Sequence, residues 1–357
     1  MHTNDIRLIG WNHERNNEFH NELHKINKAK QYCSGRIIGK HHELFDVQGE
    51  EAVFLCAPSG SLRKSGLWPA VGDWIVFEKI QGNVEGIIHA VMPRSAVFQR
   101  ASSGKKTALQ VIASNIDFAF IVTAMNGDYN LRRIERYMTL AWDSGAQPVL
   151  ILNKADLAED PQGLVSEAEL SAPGASVFSV SALTGEGTEQ VKALLAAGKT
   201  AVMVGSSGAG KSTLLNCLIG TQVQKTNDLR SNDHRGRHTT TTRQLFVLPE
   251  GGAIIDTPGL REVGLAGGEE SMEHSFSDIT ALADQCRFND CTHQHEPGCA
   301  VLAATRNGEV LSDRYEAYLK QKRELEFVTN RRNALRKKEE WQKDVAKYTK
   351  KLKKKRR

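Results

Sequence analysis

The chain has 357 residues, 40% hydrophobic and 25% charged, a globular composition long enough for two or three separately cored domains. No apolar run could span a bilayer, and the N-terminus lacks the basic-then-apolar order of a signal peptide, so a cytoplasmic protein without a membrane partner is expected. The net charge of +5 is uneven: Lys320–Arg357 holds 17 Lys/Arg against 5 Asp/Glu, which leaves the other 319 residues at −7 and points the basic arm at a polyanion.

Residues 1–31 form a polar N-terminal extension, with a helix around Glu18–Lys28 or no order. From Tyr32 to about Arg100 short apolar or alternating runs are separated by turn residues. Gly35–Gly39, His42–Val47, Ala52–Cys56, Trp74–Phe77 and Val84–Val91 read as strands, and Pro58-Ser59-Gly60, Pro69–Asp73 and Gln81-Gly82-Asn83 as turns. Five strands in so short a span predict a small closed β-barrel of OB type over residues 32–102, an architecture that serves RNA binding. Arg36, Lys40, Arg63 and Lys64 are its candidates for tracking a phosphate backbone. Cys33 and Cys56 read as core residues.

Polar Ala101–Lys106 reads as a linker into an α/β domain, residues 103–268. Phe118–Thr123 is a buried strand, Leu131–Trp142 an amphipathic helix, and Pro148–Leu152 a strand. A helix-to-strand unit then leads to Val177–Leu183, Thr188–Ala196 is a helix, and Ala201–Val204 a further buried strand. Repeated strand–helix units predict a mostly parallel sheet covered on both faces.

Its loops carry the chemistry. Asn153-Lys154-Ala155-Asp156 matches the guanine-reading pattern N-K-x-D. Asp156 is suited to accept from guanine N1–H and its exocyclic amine, Asn153 to contact the acceptor edge, and the Lys154 stem to lie over the ring. Such a site rejects adenine because its polar groups would stay unpaired. Ser181-Ala182 resembles the loop whose backbone N–H meets guanine O6. Gly205-Ser206-Ser207-Gly208-Ala209-Gly210-Lys211-Ser212-Thr213 is a phosphate loop between strand and helix: glycines let backbone N–H groups curl round a phosphate, Lys211 reaches the β- and γ-phosphates, and Ser212 ligates Mg²⁺. Downstream, Arg235–Thr242 reads as a first switch in which Thr240 or Thr241 completes the Mg²⁺ shell. Asp256-Thr257-Pro258-Gly259 is a D-x-x-G loop, with Asp256 on Mg²⁺ through water and the Gly259 N–H sensing the γ-phosphate. The base-reading loops precede the phosphate loop, the reverse of an ordinary small GTPase, so the module reads as circularly permuted.

Cys286, Cys291, His293 and Cys299 follow as C-x4-C-x-H-x5-C, three thiolates and an imidazole suited to a closed structural zinc site, with His295 competing for the place of His293. They define a zinc-binding helical domain over residues 269–319. A helical segment, Ser312–Trp341, then runs into a basic helical tail over residues 320–357.

Together these motifs resemble the circularly permuted ribosome-assembly GTPases called RsgA or YjeQ, over about residues 32–310. The resemblance implies a GTPase that binds the small ribosomal subunit and its rRNA late in maturation, with the subunit stimulating hydrolysis and hydrolysis timing departure. It implies GTP on residues 153–156 and 205–213 and zinc on Cys286, Cys291, His293 and Cys299. Other assembly factors are expected partners, and a monomer is expected because no dimerisation heptad is evident. Leu260 stands where many GTPases carry a water-orienting glutamine, so another group must act; His238 resembles a position proposed as catalytic in this family.

Overall fold

The computed structural model describes residues 5–26, 30–80, 82–101, 109–223, 243–257 and 268–355. It divides into two compact units: residues 1–99 with 111–263, and residues 100–110 with 264–357.

The first unit opens with a 3-10 turn, Ile6–Ile9, and helix α1 (His13–Leu23). The Asn12 side chain caps α1 by accepting from Arg15 N, which starts the helix five residues before the expected Glu18. A five-stranded barrel follows, built from β1 (Tyr32–His41), β2 (Leu44–Gln48), β3 (Val53–Pro58), β4 (Trp74–Lys79) and β5 (Glu85–Val91). Strand β1 pairs antiparallel with both β2 and β4, and β3 pairs parallel with β5, so the wall closes in the order β1-β2-β3-β5-β4-β1. A register shift between Ile37 and Gly39 bends β1 enough to serve both neighbours. Alternate residues fill the interior, among them Phe45, Val47, Phe54, Cys56, Phe77 and Ile88. Burial pushes the Cys56 thiol up to about 12, which makes it an unreactive core group. The expected turn at Pro58–Gly60 is in fact the start of a short helix, α2 (Gly60–Ser65), capped by the Ser59 side chain.

Strands β6 (Val97–Ala101) and β7 (Leu109–Ser114), which the sequence reading did not foresee, flank the stretch expected to be a linker and form a small separate sheet. The α/β layer then runs β8 (Phe118–Ala124), α3 (Leu131–Ser144), β9 (Gln147–Asn153), α4 (Pro161–Ser171), β10 (Ser176–Val180), α5 (Thr188–Ala193), β11 (Thr200–Gly205), α6 (Lys211–Ile219), β12 (Gln244–Val247) and β13 (Ala253–Asp256). Strand order is β10-β9-β8-β11-β13-β12, parallel throughout except for β12. Strands β8, β9 and β11 are buried along nearly their whole length, as a sheet covered on both faces requires. Gly39 in β1 pairs with Gln244 in β12, so barrel and α/β sheet form one continuous eleven-stranded sheet.

Arg36 fastens this junction. The sequence suggested that it tracks a phosphate backbone, but it is 1% exposed. Its guanidinium donates to Asn115 O and Thr200 Oγ1, both at 2.8 Å, to Gly72 O, and to Ile9 O of the N-terminal turn, and it stacks on Trp74 at 5.3 Å. Burial lowers its pKa to about 9, so it stays cationic at neutral pH. Its neighbours explain the burial: several carbonyls at one junction need a fork of donors that only arginine supplies. Arg63 pairs with Glu43, Lys40 lies over the Phe45 ring, and Lys64 is exposed. The N-terminal segment thus has a structural role that its composition did not announce: Leu8 O accepts from Gly198 N and Gly252 N, and Trp11 packs on Trp74.

The second unit is helical: α7 (Glu269–Ser275), α8 (Ser277–Ala283), α9 (Ala300–Arg306) and α10 (Ser312–Lys355). Phe276, Ile279, Val301, Tyr318 and Leu325 are buried in it. Arg314 near the start of α10 grips the Asp278 carboxylate with two hydrogen bonds of 2.7 and 2.6 Å and lies over the Phe276 ring. Helix α10 carries the expected segment Ser312–Trp341 unbroken into the basic tail, which is helical as expected, one helix of 44 residues ending at Lys355. No helix among the described residues is long and apolar enough to cross a membrane.

Candidate nucleotide site and metal centre

The loops that follow β9, β10, β11 and β13 all leave the carboxyl ends of parallel strands, where a doubly wound sheet opens a crevice. At the end of β11, Gly205 has φ +145° and packs so closely on β8 that a Cβ would collide with Val122 O. Gly210, φ +89°, lies against Asn153 Nδ2 in the same way. These two glycines of the phosphate loop are therefore demanded by neighbouring chain as well as by phosphate approach. Lys211 opens α6, and its ammonium donates to Gly205 O at 2.9 Å and Ser206 O at 2.6 Å, arched over the loop it belongs to. Ser212 and Thr213 follow in the first turn of α6.

Asn153 is 1% exposed, and both ends of its amide are engaged. Nδ2 donates to Ala209 O at 2.9 Å and Oδ1 accepts from Ala182 N at 3.0 Å, so one side chain ties three loops together. The expectation that Asn153 reads the base edge is thus narrowed to its second amide hydrogen. Lys154 takes the left-handed conformation, φ +65°, which turns the chain sharply out of β9 and into the 3-10 turn Ala155–Leu157. Ser181 Oγ donates to Asp156 Oδ1 at 2.6 Å and accepts from Thr184 N. This fixes the plane of the carboxylate and leaves its other oxygen as an acceptor.

Asp256 ends β13 beside Met203 of β11. Burial raises its pKa and Lys211 draws it back only in part. Thr257 Oγ1 donates to Met203 O at 2.7 Å and pins the start of the D-x-x-G loop. The geometry therefore gathers Asn153, Lys154, Ala155, Asp156, Ser181, Ala182, Gly205 to Thr213 and Asp256 at one end of the sheet. Gly259, Leu260, His238, Thr240 and Thr241 lie outside the described residues.

In the second unit the ligating atoms of Cys286, Cys291, His293 and Cys299 all lie within 4.8 Å of one another. Cys286 Sγ and Cys299 Sγ are 3.8 Å apart, and His293 Nδ1 lies 3.6 and 3.5 Å from them. A tetrahedral ion with bonds of about 2.3 Å to sulfur and about 2.0 Å to nitrogen has edges of about 3.8 Å between sulfurs and about 3.5 Å between sulfur and nitrogen. The donor set and its spacing fit such an ion, with His293 in the cluster and His295 not. His293 takes a left-handed turn, φ +62°, and its carbonyl accepts from Tyr315 OH of α10. The Glu296 carboxylate accepts from the backbone N–H groups of Thr292, Gln294 and His295 and from Thr292 Oγ1, and these bonds hold it well below the usual carboxylate range.

A family model described as RsgA GTPase matches residues 91–266, one described as RsgA N-terminal domain matches 34–88, and one described as 50S ribosome-binding GTPase matches 200–355. The small ribosomal subunit biogenesis GTPase RsgA of Methanosarcina acetivorans is 41% identical over 331 residues, 93% of this chain and 88% of that protein. The chain belongs to the RsgA family. The RsgA of Leptospira interrogans (strain Fiocruz L1-130) is 42% identical over 296 residues, 82% of each chain. Among solved structures, YjeQ from Thermotoga maritima matches with a TM-score of 0.62 at 30% identity, over 83% of this chain and 99% of that one. YloQ, titled a circularly permuted GTPase, matches with a TM-score of 0.60 at 24% identity, over 84% and 97%.

As an RsgA-family member the chain is a GTPase, built from an N-terminal closed barrel, a permuted α/β GTPase layer and a C-terminal Cys/His cluster able to hold a metal ion. What sequence reasoning missed in this RsgA-type site are the residues that hold the loops rather than the ligand. Asp128, in the loop after β8, accepts from Ser206 Oγ of the phosphate loop. Glu296 and Tyr315 brace the metal cluster. No spacing rule marks such residues, because their partners are 78, 4 and 22 positions away in sequence.

Proposed function

We propose that this GTPase acts on the small ribosomal subunit late in its maturation, that the subunit stimulates hydrolysis, and that hydrolysis times release. The convergence of a phosphate loop and an N-K-x-D loop on one sheet end carries the guanine nucleotide part of this reading. The names of relatives that match more than four fifths of the chain carry the ribosomal part.

In this reading Asp156 recognises the guanine edge, with Asn153, Lys154, Ala155, Ser181 and Ala182 shaping the base pocket. Gly205 to Thr213 cradle the phosphates, Ser212 and Thr240 ligate Mg²⁺, Asp256 holds it through water, and the Gly259 N–H senses the γ-phosphate. Leu260 cannot polarise water, so His238 is the proposed group that orients the attacking water. Zinc is the metal proposed for Cys286, Cys291, His293 and Cys299, since three thiolates and one imidazole in tetrahedral spacing suit it best and leave no open position for catalysis. The barrel and the basic C-terminal stretch of the chain supply rRNA contacts, and the chain acts as a cytoplasmic monomer.

Single-turnover hydrolysis of GTP and ATP, with and without purified small subunits, tests the reading. Strong stimulation of GTP hydrolysis alone is expected. Equal use of both nucleotides defeats the guanine assignment, and tight subunit binding without stimulation recasts the protein as an RNA-binding scaffold. Co-sedimentation with GDP against a non-hydrolysable GTP analogue tests release.

A further inference from the structure

The phosphate loop is held from outside its own motif. Ser206 occupies its second position and is pinned at two atoms: its carbonyl accepts from Lys211 Nζ at 2.6 Å, and its hydroxyl donates to Asp128 Oδ2 at 2.5 Å. A phosphate oxygen competes with that carbonyl for the Lys211 ammonium, because Lys211 is the loop's phosphate-reaching residue. The carbonyl anchor is therefore the one given up on binding, and the Asp128 anchor is the one that can persist.

Asp128 is built to stay in place. Its other oxygen accepts from Arg133 Nη1 at 2.8 Å, and its backbone N–H donates to Asn126 Oδ1. Arg133 in turn stands in the first turn of α3, whose N-terminus is capped by Asn130. The loop from Met125 to Asn130 is fixed at its start too, by Met125 N donating to Asn153 O, so it is tied to the base loop as well as to the phosphate loop. Burial pushes the Asp128 carboxyl up, but the Ser206 hydroxyl and the Arg133 guanidinium more than offset this and keep it ionised at neutral pH.

The geometry points to Asp128 as a positioning residue for nucleotide binding: through Ser206 it holds the first turn of the phosphate loop in its binding shape, and through Arg133 it references that shape to α3. A preshaped cradle binds phosphate without first paying the entropy of ordering the loop. This rests on the guanine nucleotide reading above.

The test uses the full-length chain and a fluorescent GDP analogue, with dissociation followed by stopped flow. Asp128→Ala and Ser206→Ala should each speed release by about tenfold, the scale of one charge-assisted hydrogen bond at a partly exposed position. The double variant should be no faster than the faster single one, because both remove the same contact. Asp128→Asn, which keeps an acceptor oxygen, should recover part of the loss, and the change should appear in KM more than in kcat. Release within about twofold of the parent, or additive effects in the double variant, overturns the proposal. If Asp128→Ala does not fold, judged by its nucleotide-free melting temperature, the Ser206→Ala variant alone decides. A parent chain that fails to bind the GDP analogue defeats the nucleotide reading itself; a parent that binds, with variants that match it, defeats only the role of Asp128.

Discussion

The nucleotide site and the metal cluster solve the same problem, holding several polar groups at fixed separations, by opposite routes. The metal cluster draws four ligands from 14 consecutive residues, Cys286 to Cys299, and its geometry comes from one tight turn braced by Glu296 and by Tyr315. The nucleotide site draws on loops spread from Asn153 to Asp256, and its geometry comes from the register of parallel strands that no single segment contains. Local sites can be specified by spacing. Distributed ones need a sheet to set the distances and side chains such as Asn153 to couple the loops.

The sharpest way to break this contrast is to remove one metal ligand. Cys299→Ser leaves two thiolates and an imidazole, and binding free energy at such sites is folding free energy for the segment they close. Metal content measured by atomic spectroscopy should fall below one equivalent. Amide exchange across residues 286–299 and the turns of α10 around Tyr315 should accelerate by orders of magnitude. A cluster that keeps slow exchange after loss of its metal is held by packing instead, and the contrast fails.

Next in size is the base reader. Asp156→Asn replaces an acceptor with an amide whose N–H groups oppose those of guanine. With two charge-assisted hydrogen bonds at stake, GTP affinity should drop by about 10² to 10⁴-fold, while xanthosine triphosphate, which offers an acceptor where guanine has its amine, should gain. Titration with the two nucleotides checks it. A loss for both with no gain for xanthine means that Asp156 acts only by bracing Ser181.

How far each region was legible follows the same division. The N-K-x-D and G-x-x-x-x-G-K-S patterns and the Cys/His spacing are local, and so were the barrel strands, whose alternation survives without knowledge of their partners. Arg36 was misread because a lone cation in a strand looks solvated. Only the fold shows that carbonyls from residues 9, 72 and 115 converge on it. The pairing of β6 with β7 was hidden by the polar sequence that separates them, and α2 by the glycine with which it begins. Asp128 left no trace at all: its meaning is a contact across 78 residues.

A smaller effect is expected at the brace of the metal turn. Glu296→Gln keeps an acceptor for the backbone donors but loses the charge that four hydrogen bonds now favour. Metal affinity, measured by competition with a chelator, should fall by about tenfold, the lower end of what outer partners of metal sites contribute. No change would assign the shape of the turn to the ligands alone.

The smallest effect is the most diagnostic for the distributed site, because its sign runs against intuition. Asp256 is buried, and its folded pKa lies above the ordinary carboxylate value despite Lys211. A raised carboxyl pKa means that the folded state binds the proton more tightly than the unfolded chain. Asp256 therefore costs stability once pH exceeds the unfolded value, and the cost disappears as pH falls below it, where both states are protonated. Asp256→Asn, with no charge to bury, should melt slightly higher than the parent at neutral pH, and the difference should shrink on acidification through the carboxylate range. The same variant should lose Mg²⁺-dependent hydrolysis. A stabilised but inactive protein would show that this carboxylate is kept for the reaction at the expense of the fold. A variant that melts lower at neutral pH would show instead that Lys211 compensates the charge in full, and that the site is prepaid by its own phosphate lysine.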